Sequence, residues 1–569
     1  MDVNDYLDVR PAPAAIFEWL DERASRPRFM TRTDGDGWHA VTWGEFADRV
    51  RNVALYADEL GLGEGDCAAI FAPNSVAWLA AAYGVQTAGA AFVPIYPSST
   101  AEQARYAVEK TQPDLVFAES EEIFPRVAAE WEAYGSATRV VDLGGGTLPW
   151  EAFAETYGAD GPWKSLDERL LPWDRLQRLG AQLAEARPER LDTMLDSLDL
   201  DSTAQILFTS GTTGEPKGVP LTHRNVGSNG SDWVEVNGPH VDEHPVDLCW
   251  LPFSHLFGFG EISLGNTLGF TTYLADPSNV LDLMPEVAPS VFMSIPRYWE
   301  KIAQRAMEGE TNRERAQLLD EVTGGELAFC LSGGAGLKRE IKEFFLDHSL
   351  FITEGYGLTE ASPTLTMNRP DDHDFDSVGK PFPSVDVRLA DDGEIQAKGP
   401  NVFEGYLDNP EATEEAFTED GWLKTGDLRE WTDDGHLKVV GRKKEILVTA
   451  GGKNISPAHI ENKVDDDPVI EHLVVYGDGK KYLTAGIWVD DEAVEERLAD
   501  RQGLDDTREL VDERIADLND DLPSYETLKD YALFDEPLSV DNGTLTPTMK
   551  VKRNEVYDRF GDRLEALYE

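Results

Sequence analysis

The sequence predicts an α/β protein: a large N-terminal domain of several subdomains with mixed sheets, and a smaller α+β C-terminal domain. Short apolar strands alternate with helical segments and Gly-rich turns from Cys67 to about Phe117, and again from Gln205 to about Ala390. After Ser384 the pattern changes to short strands joined by DDG and EDG turns, which are typical of antiparallel hairpins. The chain has 569 residues, too many for one core, so we expect domains at 1–441 and 442–569.

The first 60 residues predict two amphipathic helices, around Ala14–Arg23 and Thr42–Leu60, with a hairpin-like turn in GDGW between them. Residues 145–200 have a different composition. Glycines at their start are followed by a helical, charge-rich stretch that ends in the acidic LDSLDLDS. We interpret this part of the chain as an excursion on the surface.

The segment from Cys67 to Thr100 contains no charged residue across 34 positions, which raises the question of a membrane helix. It is rich in alanine rather than leucine or isoleucine, and Pro73 interrupts it, so its transfer to lipid gains little. A buried βαβ unit explains it better, with strand Cys67–Ala72, helix Ser75–Thr87 and strand Ala91–Ile95. We therefore expect no transmembrane helix.

Short apolar strands and tight turns continue to the end of the N-terminal domain. Strands are predicted at Ala204–Phe208, Leu248–Leu251, Val291–Ile295 and Phe351–Ile352. Hairpin turns are predicted at Asp391–Gly393, Glu419–Gly421 and Asp433–Gly435.

The chain carries 51 basic and 107 acidic residues, a net charge of −56 at pH 7. Binding to nucleic acid is disfavoured, because phosphate backbones need clustered basic side chains. Arginine outnumbers lysine by 32 to 19. A charge of this size repels itself at low salt and is screened at high salt, so we interpret the protein as adapted to molar salt, as in extreme halophiles. An acidic protein of a mesophile is the alternative.

The cysteines Cys67, Cys249 and Cys330 show no CxxC spacing and predict neither a disulfide framework nor a four-cysteine zinc site. The N-terminal MDVNDYLDVRPAP has no basic region followed by an apolar stretch, so no secretory signal is expected. Both observations predict a cytoplasmic protein.

The strongest local pattern is LFTSGTTGEPKGV, from Leu207 to Val219. Glycines let backbone N–H groups approach a phosphate, hydroxyls add donors, and one lysine adds charge. The spacing differs from the Walker A motif, and a Gly/Thr-rich surface turn is the plainer alternative. The candidate phosphate-binding residues are Thr209, Ser210, Gly211, Thr212, Thr213, Gly214 and Lys217.

This string closely resembles the phosphate loop of the acyl-adenylate-forming superfamily, which includes acyl-CoA synthetases, luciferases and the adenylation domains of peptide synthetases. Further segments resemble that superfamily's motifs in the same order. They are LPFSHLFG around His255, then Ser332–Ala335, Glu354–Glu360, Trp422–Asp427, Gly441–Lys444 and Leu545–Arg553.

The resemblance implies a set of nucleotide and coenzyme contacts. Tyr356 offers a flat face for adenine stacking, and Asp427 offers a carboxylate to two ribose hydroxyls. A core tyrosine and a turn aspartate are the alternatives. The implied residues are Gly334 and Ala335 at the adenine, Glu354, Gly355, Tyr356 and Gly357 beside it, Asp427 and Arg442 at the ribose, Gly452 along the pantetheine of coenzyme A, and Lys444 as the hinge of a mobile C-terminal domain.

The resemblance also implies the catalytic residues, which are Lys550, Lys217, Thr359, Glu360 and His255. A carboxylate next to a hydroxyl suits Mg²⁺, so Glu360 is the candidate metal ligand; a solvated glutamate at a helix start is the alternative. His255 would form a gate beside the acyl pocket, unless it is a core histidine. Many relatives have glycine before the lysine that corresponds to Lys550, whereas this chain has Met549.

Within the superfamily, AAYGVQTAGAAFVPIYPSST, IPRYWEKI, GKNISPAHIE and TPTMKVKR are most similar to segments of long-chain fatty acyl-CoA synthetases. The resemblance implies that ATP and Mg²⁺ activate a fatty acid to acyl-AMP and that the acyl group then passes to coenzyme A. Two alternatives stay open: a ligase for another carboxylic acid or acceptor, and a nucleotide-binding regulator without catalysis. Peripheral contact with a membrane and the oligomeric state also stay open.

Overall fold

The computed structural model describes residues 3–32, 37–119, 122–144, 168–209, 216–443, 445–451, 453–464, 467–500, 507–520, 522–546 and 549–568. These residues divide into two units. The large unit holds the described residues of Met1–Thr209, Pro216–Val387 and Ala397–Leu423. The small unit holds Arg388–Gln396 and the described residues of Lys424–Glu569. The predicted boundary at 441/442 is the point about which the C-terminal domain would rotate. The division into compact units does not test that point, so the boundary stays a prediction.

The strands are β1 Pro27–Arg32, β2 Trp38–Thr42, β3 Cys67–Phe71, β4 Ala91–Ile95, β5 Leu115–Ala118, β6 Arg139–Asp142, β7 Leu170–Pro172, β8 Thr203–Thr209, β9 Lys217–Thr222, β10 Val246–Cys249, β11 Thr271–Leu274, β12 Val291–Ser294, β13 Phe329–Ser332, β14 Ile352–Gly357, β15 Thr364–Met367, β16 Lys380–Pro381, β17 Asp386–Leu389, β18 Glu394–Lys398, β19 Leu423–Trp431, β20 Leu437–Arg442, β21 Leu447–Val448, β22 Asn454–Ile455, β23 Ile470–Tyr476, β24 Leu483–Val489 and β25 Leu528–Leu533.

The α-helices are α1 Ala14–Glu18, α2 Leu20–Arg23, α3 Trp43–Leu60, α4 Val76–Thr87, α5 Ala101–Thr111, α6 Ile123–Ala129, α7 Trp173–Ala186, α8 Arg190–Asp196, α9 His223–Asn237, α10 Leu256–Leu268, α11 Val280–Val287, α12 Pro296–Met307, α13 Asn312–Thr323, α14 Arg339–Asp347, α15 Pro410–Ala416, α16 Pro457–Glu461, α17 Asp491–Asp500, α18 Thr507–Asp520 and α19 Arg553–Glu565.

Two mixed sheets form the large unit, as the sequence predicts. One has the order β7-β6-β5-β3-β4-β8-β9 and is parallel except for the antiparallel pair β8–β9. The other has the order β16-β15-β14-β13-β12-β10-β11-β1-β2 and is parallel from β14 to β1. The predicted βαβ unit is confirmed: β3 and β4 pair in parallel on either side of α4, and every residue of both strands is buried. Among the described residues, no helix has the length and apolar composition needed to cross a membrane.

The two N-terminal helices are also confirmed, with one difference. Thr42 caps α3 by accepting a hydrogen bond from Glu45 N while the Glu45 side chain bonds back, and Gly61 ends the helix at a φ of +89°. The first predicted helix is interrupted at Trp19 and becomes α1 and α2. The strands β1 and β2 between them pair antiparallel, and the first two residues of the predicted GDGW turn lie outside the described residues.

The interpretation of residues 145–200 as a surface excursion is wrong for the part that the structure describes. β7 is an edge strand of the seven-stranded sheet, and α7 packs closely on α3. A Cβ on Gly180 of α7 would lie 2.1 Å from Asn52 O, so the two helices approach at a distance that only glycine permits. The charged residues of α7 lie on its outer face, so the charge-rich composition gives no indication of the contact with α3.

The predicted change to antiparallel hairpins is confirmed. β17 and β18 are neighbours in one sheet with β19 and β20, and β19 pairs antiparallel with β20. The turn glycines Gly393, Gly421 and Gly435 have φ values of +82°, +78° and +80°, where glycine is favoured. The small unit also holds the sheet β23-β24-β25, against which Val556, Phe560 and Leu564 of α19 pack, so its α+β class is confirmed as well.

Candidate active site

The predicted phosphate loop joins two antiparallel strands of the large unit. β8 ends at Thr209 and β9 begins at Lys217, and the two residues lie opposite each other in the ladder. Outside the described residues lie five loop residues of the prediction, Ser210, Gly211, Thr212, Thr213 and Gly214. Their contact with phosphate stays a prediction.

Lys217, Tyr406 and Glu360 form one cluster in the large unit. Lys217 Nζ lies 4.7 Å from the centre of the Tyr406 ring, and the Tyr406 hydroxyl donates a hydrogen bond of 2.8 Å to Glu360 Oε1. Burial and the nearby Glu360 carboxylate raise the pKa of Tyr406, so the phenol is a neutral donor at physiological pH. The structure thus joins two predicted catalytic residues through a third that the sequence analysis missed.

The backbone around Glu360 is tied to the segment that carries Tyr406. Glu360 lies in a 3₁₀ turn, Thr359–Ala361. Phe403 N donates to Glu360 O at 2.9 Å, and Asn401 Nδ2 donates to Ala361 O at 2.8 Å. These bonds fix the position of the carboxylate relative to the same segment that approaches Lys217.

The donor set of this turn fits a magnesium ion. It offers the carboxylate of Glu360 next to the Thr359 hydroxyl, and Tyr406 occupies one side of that carboxylate. Mg²⁺ in nucleotide sites is typically held by one or two carboxylates together with phosphate oxygens and water. Glu360 therefore stays our predicted metal ligand.

The predicted nucleotide motif 354–357 forms the end of the strand β14. β14 pairs antiparallel with β15 here, and Tyr356 is half-buried. A Cβ on Gly357 would lie 1.7 Å from Pro363 O, and one on Gly355 would lie 3.1 Å from Thr366 O. The glycines are therefore needed for close backbone approach, and the stacking of Tyr356 on adenine stays a prediction.

The predicted adenine loop follows β13. Gly334 has a φ of +86°, and both Gly334 and Ala335 are exposed. Phe257 packs on this loop, because a Cβ on Gly333 would lie 2.9 Å from Phe257 Cε1. His255 caps α10: its Nδ1 accepts a hydrogen bond of 3.1 Å from Phe257 N. His255 thus has a structural contact beside the loop, and its role as a gate stays a prediction.

The carboxylate of Glu354 is engaged within the protein. Lys342 Nζ donates to Glu354 Oε2 at 2.7 Å and to Phe375 O at 2.6 Å, while Leu337 N donates to Glu354 Oε1 at 2.7 Å. Both charged side chains are 4% exposed. Burial raises the pKa of Glu354, and the Lys342 charge opposes that shift. The Glu354 carboxylate thus holds Leu337, which follows the adenine loop, and the contact of Glu354 with the nucleotide stays a prediction.

Replacing Lys342 by methionine is expected to destabilise the large unit by about 3 kcal/mol or more, because it leaves the Glu354 carboxylate buried without a countercharge. The matched control is Arg339→Met, which breaks exposed ion pairs with Glu343 and Asp376 and should have a much smaller effect on the free energy of unfolding. Urea unfolding in molar KCl measures both. Equal losses of stability in the two variants would contradict a buried ion pair between Lys342 and Glu354. The double variant Lys342→Met/Glu354→Leu, which removes both charges, should recover part of the stability that Lys342→Met loses.

The small unit brings together the two predicted ribose residues. Asp427 and Arg442 lie opposite each other in the pair β19–β20, and Arg442 Nε lies 3.4 Å from Asp427 Oδ1. The Asp427 side chain is 7% exposed and that of Arg442 is 57% exposed. Gly426 has a φ of +76°, and its N donates at 3.1 Å to Glu394 Oε1, a residue that the sequence analysis missed. The buried Asp427 carboxylate thus lies next to an exposed guanidinium group.

Lys550 lies in a tight turn of the small unit. Lys550 N donates to Thr546 Oγ1 at 3.0 Å, and Thr546 N donates to Lys550 O at 2.8 Å. Met549 has a φ of +62°, in the left-handed region that glycine adopts more readily than other residues. Desolvation by surrounding atoms and the positive charge of Arg442 lower the pKa of Lys550, but the side chain keeps solvent access, so the desolvation is partial.

The small unit therefore places three predicted residues, Asp427, Arg442 and Lys550, in one neighbourhood. Arg553, three residues after Lys550, forms a bidentate ion pair with Glu461, with N–O distances of 2.7 and 2.6 Å, which anchors the start of α19. Lys444 and Gly452 lie outside the described residues, so the hinge and the pantetheine channel stay predictions.

Comparison with known protein families assigns the class of protein. Residues 17–407 match the model of the AMP-binding enzyme family, and residues 444–569 match the model of the AMP-binding enzyme C-terminal domain. The chain therefore belongs to the AMP-binding enzyme family, as the motifs predict.

Individual relatives narrow the comparison. The chain is 32% identical to the long-chain-fatty-acid–CoA ligase FadD15 of Mycobacterium bovis, over 98% of this chain and 96% of that protein. It is 27% identical to the long-chain-fatty-acid–CoA ligase heimdall of Drosophila melanogaster, over 98% and 95%. The solved adenylation domain of the carboxylate reductase GR01_22995 from Mycobacterium chelonae has a TM-score of 0.80 at 23% identity, over 98% and 94%, and shares the fold.

Proposed function

We propose that this protein is an AMP-forming fatty acid–CoA ligase that acts on long-chain acids. The observation that carries the proposal is the 32% identity to a long-chain-fatty-acid–CoA ligase along almost the full length of both chains. The cluster of Lys217 and Glu360 in the large unit, and that of Asp427, Arg442 and Lys550 in the small unit, support it with suitable chemistry. ATP, Mg²⁺ and coenzyme A are the cofactors and substrates of this proposal.

In the first proposed step, a fatty acid carboxylate attacks the α-phosphorus of ATP and pyrophosphate leaves. Negative charge gathers at that phosphorus, so the ammonium groups of Lys550 and Lys217 and the Thr359 hydroxyl lower the barrier by stabilising the charge as it develops. Glu360 would hold the magnesium ion, which neutralises phosphate charge when bound. Asp427 would orient the nucleotide by accepting hydrogen bonds from the ribose.

In the second proposed step, the thiol of coenzyme A attacks the acyl-adenylate carbonyl and AMP leaves. The charge then develops at the carbonyl oxygen rather than at phosphorus, so Lys550 has no comparable task. The resemblance implies that the C-terminal domain rotates about Lys444 between the steps and that Gly452 lets pantetheine pass close to the backbone.

A pyrophosphate-release screen across C2 to C18 acids and several aryl acids, in molar KCl with and without coenzyme A, tests the proposal. We expect kcat/KM to rise with chain length, by up to about fourfold per buried methylene, and to be highest for long-chain acids. A preference for aryl or short acids would favour a ligase for another acid. Nucleotide binding without pyrophosphate release from any acid would favour the non-catalytic regulator.

The placement in the cytoplasm is part of the same proposal and rests on cysteine usage. Cys67, Cys249 and Cys330 are all free and buried, and burial raises the pKa of each thiol, to about 12 for Cys67 and Cys330. Buried neutral thiols of this kind pack as small apolar side chains.

A further inference from the structure

We infer that Tyr406 is a positioning residue that keeps Lys217 and Glu360 from pairing with each other, so that both charges stay available to a magnesium–nucleotide complex. The inference rests on the proposed function for the identity of that ligand. It depends otherwise only on contacts within the large unit.

Tyr406 lies in a segment that contacts both Lys217 and Glu360 through its neighbours. Its segment, residues 401–407, is bonded to both halves of the cluster. Leu407 N donates to Gly218 O at 2.9 Å, next to Lys217, while Phe403 N donates to Glu360 O at 2.9 Å. A Cβ on Gly218 would lie 3.0 Å from Leu407 Cβ, so the two chains are in close contact. The Tyr406 side chain therefore has little freedom to leave the space between Lys217 and Glu360.

Lys217 and Glu360 carry opposite charges but do not form an ion pair. Lys217 and Glu360 are both described, and no ion pair within 4.0 Å joins them. Opposite charges on partly buried side chains attract each other, so we infer that Lys217 and Glu360 would pair if Tyr406 did not contact both. Tyr406 offers each a different contact: the ring face for the ammonium, and the hydroxyl for the carboxylate.

The two contacts of Tyr406 leave binding groups of Lys217 and Glu360 available to a ligand. An ammonium held by a ring face keeps its N–H donors for phosphate oxygens, whereas an ammonium in a salt bridge must first lose that partner. A carboxylate that accepts one neutral hydrogen bond still has lone pairs for a cation. Tyr406 thus leaves the cluster ready to bind a phosphate and a metal ion together.

Three variants separate these contacts: Tyr406→Phe removes the hydroxyl and keeps the ring, Tyr406→Leu removes both, and Tyr531→Phe is the matched control. Tyr531 of the small unit donates to Asp512 Oδ1 at 2.6 Å and has Arg508 Cζ 4.9 Å from its ring centre, so it makes the same two kinds of contact. Isothermal titration with a non-hydrolysable ATP analogue, at several Mg²⁺ concentrations and without acid or coenzyme A, gives the readout.

We expect Tyr406→Phe to bind the analogue normally without Mg²⁺ and to need about tenfold more Mg²⁺ for tight binding, since a hydrogen bond to a charged group is lost. Tyr406→Leu should lose about tenfold in affinity with and without Mg²⁺. Tyr531→Phe should stay within about twofold. In a Glu360→Ala background, Tyr406→Phe should have no further effect on the Mg²⁺ requirement, because the carboxylate that accepts the Tyr406 hydrogen bond is gone.

Binding of Tyr406→Leu within twofold of the wild type would overturn the inference, as would equal effects of Tyr406→Phe and Tyr531→Phe. Melting temperatures of all variants show whether they fold. Because no acid takes part, the binding result is distinct from the test of the proposed function. If the wild type binds the Mg²⁺–analogue complex but forms no acyl-CoA, the ligase proposal is wrong. The binding titrations of the variants still decide the role of Tyr406 in that case.

Discussion

Lys550→Ala is expected to lower acyl-AMP formation by about 100-fold or more and to leave the conversion of supplied acyl-AMP and coenzyme A to thioester within about threefold of the wild type. Only the first reaction develops charge at the α-phosphorus. The turn closed by Thr546 and Lys550 presents this side chain near Arg442, whose own partner is Asp427. A lysine next to the predicted ribose residues is suitably placed to act at the phosphate that follows the ribose.

The neighbouring Lys552→Ala is the matched control, because Lys552 belongs to the same TPTMKVKR segment and precedes α19. It should retain both half-reactions within about twofold. Pyrophosphate release measures the first half-reaction, and thioester formation from synthetic acyl-AMP measures the second. Equal loss in both half-reactions for Lys550→Ala would reject its assignment to adenylation.

Raising KCl from about 0.1 M to 2 M is expected to increase the melting temperature by about 5 °C or more and to increase activity. The net charge of −56 repels itself across the surface, and the Debye length falls from about 10 Å at 0.1 M to about 3 Å at 1 M. ATP and coenzyme A must also approach an acidic protein, and screening lowers that barrier. At about 0.1 M salt we expect partial unfolding.

A melting series in KCl, with sucrose at matched water activity as the control, measures this effect. Sucrose stabilises by exclusion from the surface and does not screen charge. A midpoint that rises in KCl well beyond the sucrose series supports adaptation to high salt. A midpoint that is flat or falls between about 0.1 and 2 M KCl would assign the acidity to the mesophile alternative.

Local patterns were enough to predict much of the fold. The βαβ unit was predicted because its strands, Cys67–Phe71 and Ala91–Ile95, are buried on both faces and therefore carry no charge. The hairpins were predicted because turn glycines at positive φ, such as Gly393 and Gly435, follow acidic turn residues. The interpretation of residues 145–200 failed for the described part, 168–200, because the close approach of Gly180 to Asn52 leaves no local signal beyond one glycine in a polar helix.

For the candidate site too, local patterns identify residues within continuous motifs and miss residues whose partners are distant in the chain. Thr359, Glu360 and Asp427 belong to continuous motifs, so the sequence alone supplies them. Tyr406 and Lys342 do not, and their partners lie elsewhere in the chain: the Tyr406 hydroxyl bonds a residue 46 positions away. No spacing rule connects such pairs, because the register of β14, β15 and β9 decides which side chains meet.

By itself, the sequence determined the class of protein, the order of its motifs, the α/β and α+β character of its parts and its extreme negative charge, since each is a property of residue type or short-range periodicity. Only the tertiary structure decided that Glu354 is buried against Lys342, that His255 caps a helix, that Met549 occupies a left-handed turn and that Tyr406 lies between Lys217 and Glu360. The physical reason is that hydrogen bonds and ion pairs form between atoms within about 3 to 4 Å in space, and chain folding brings those atoms together from positions that local pattern does not relate.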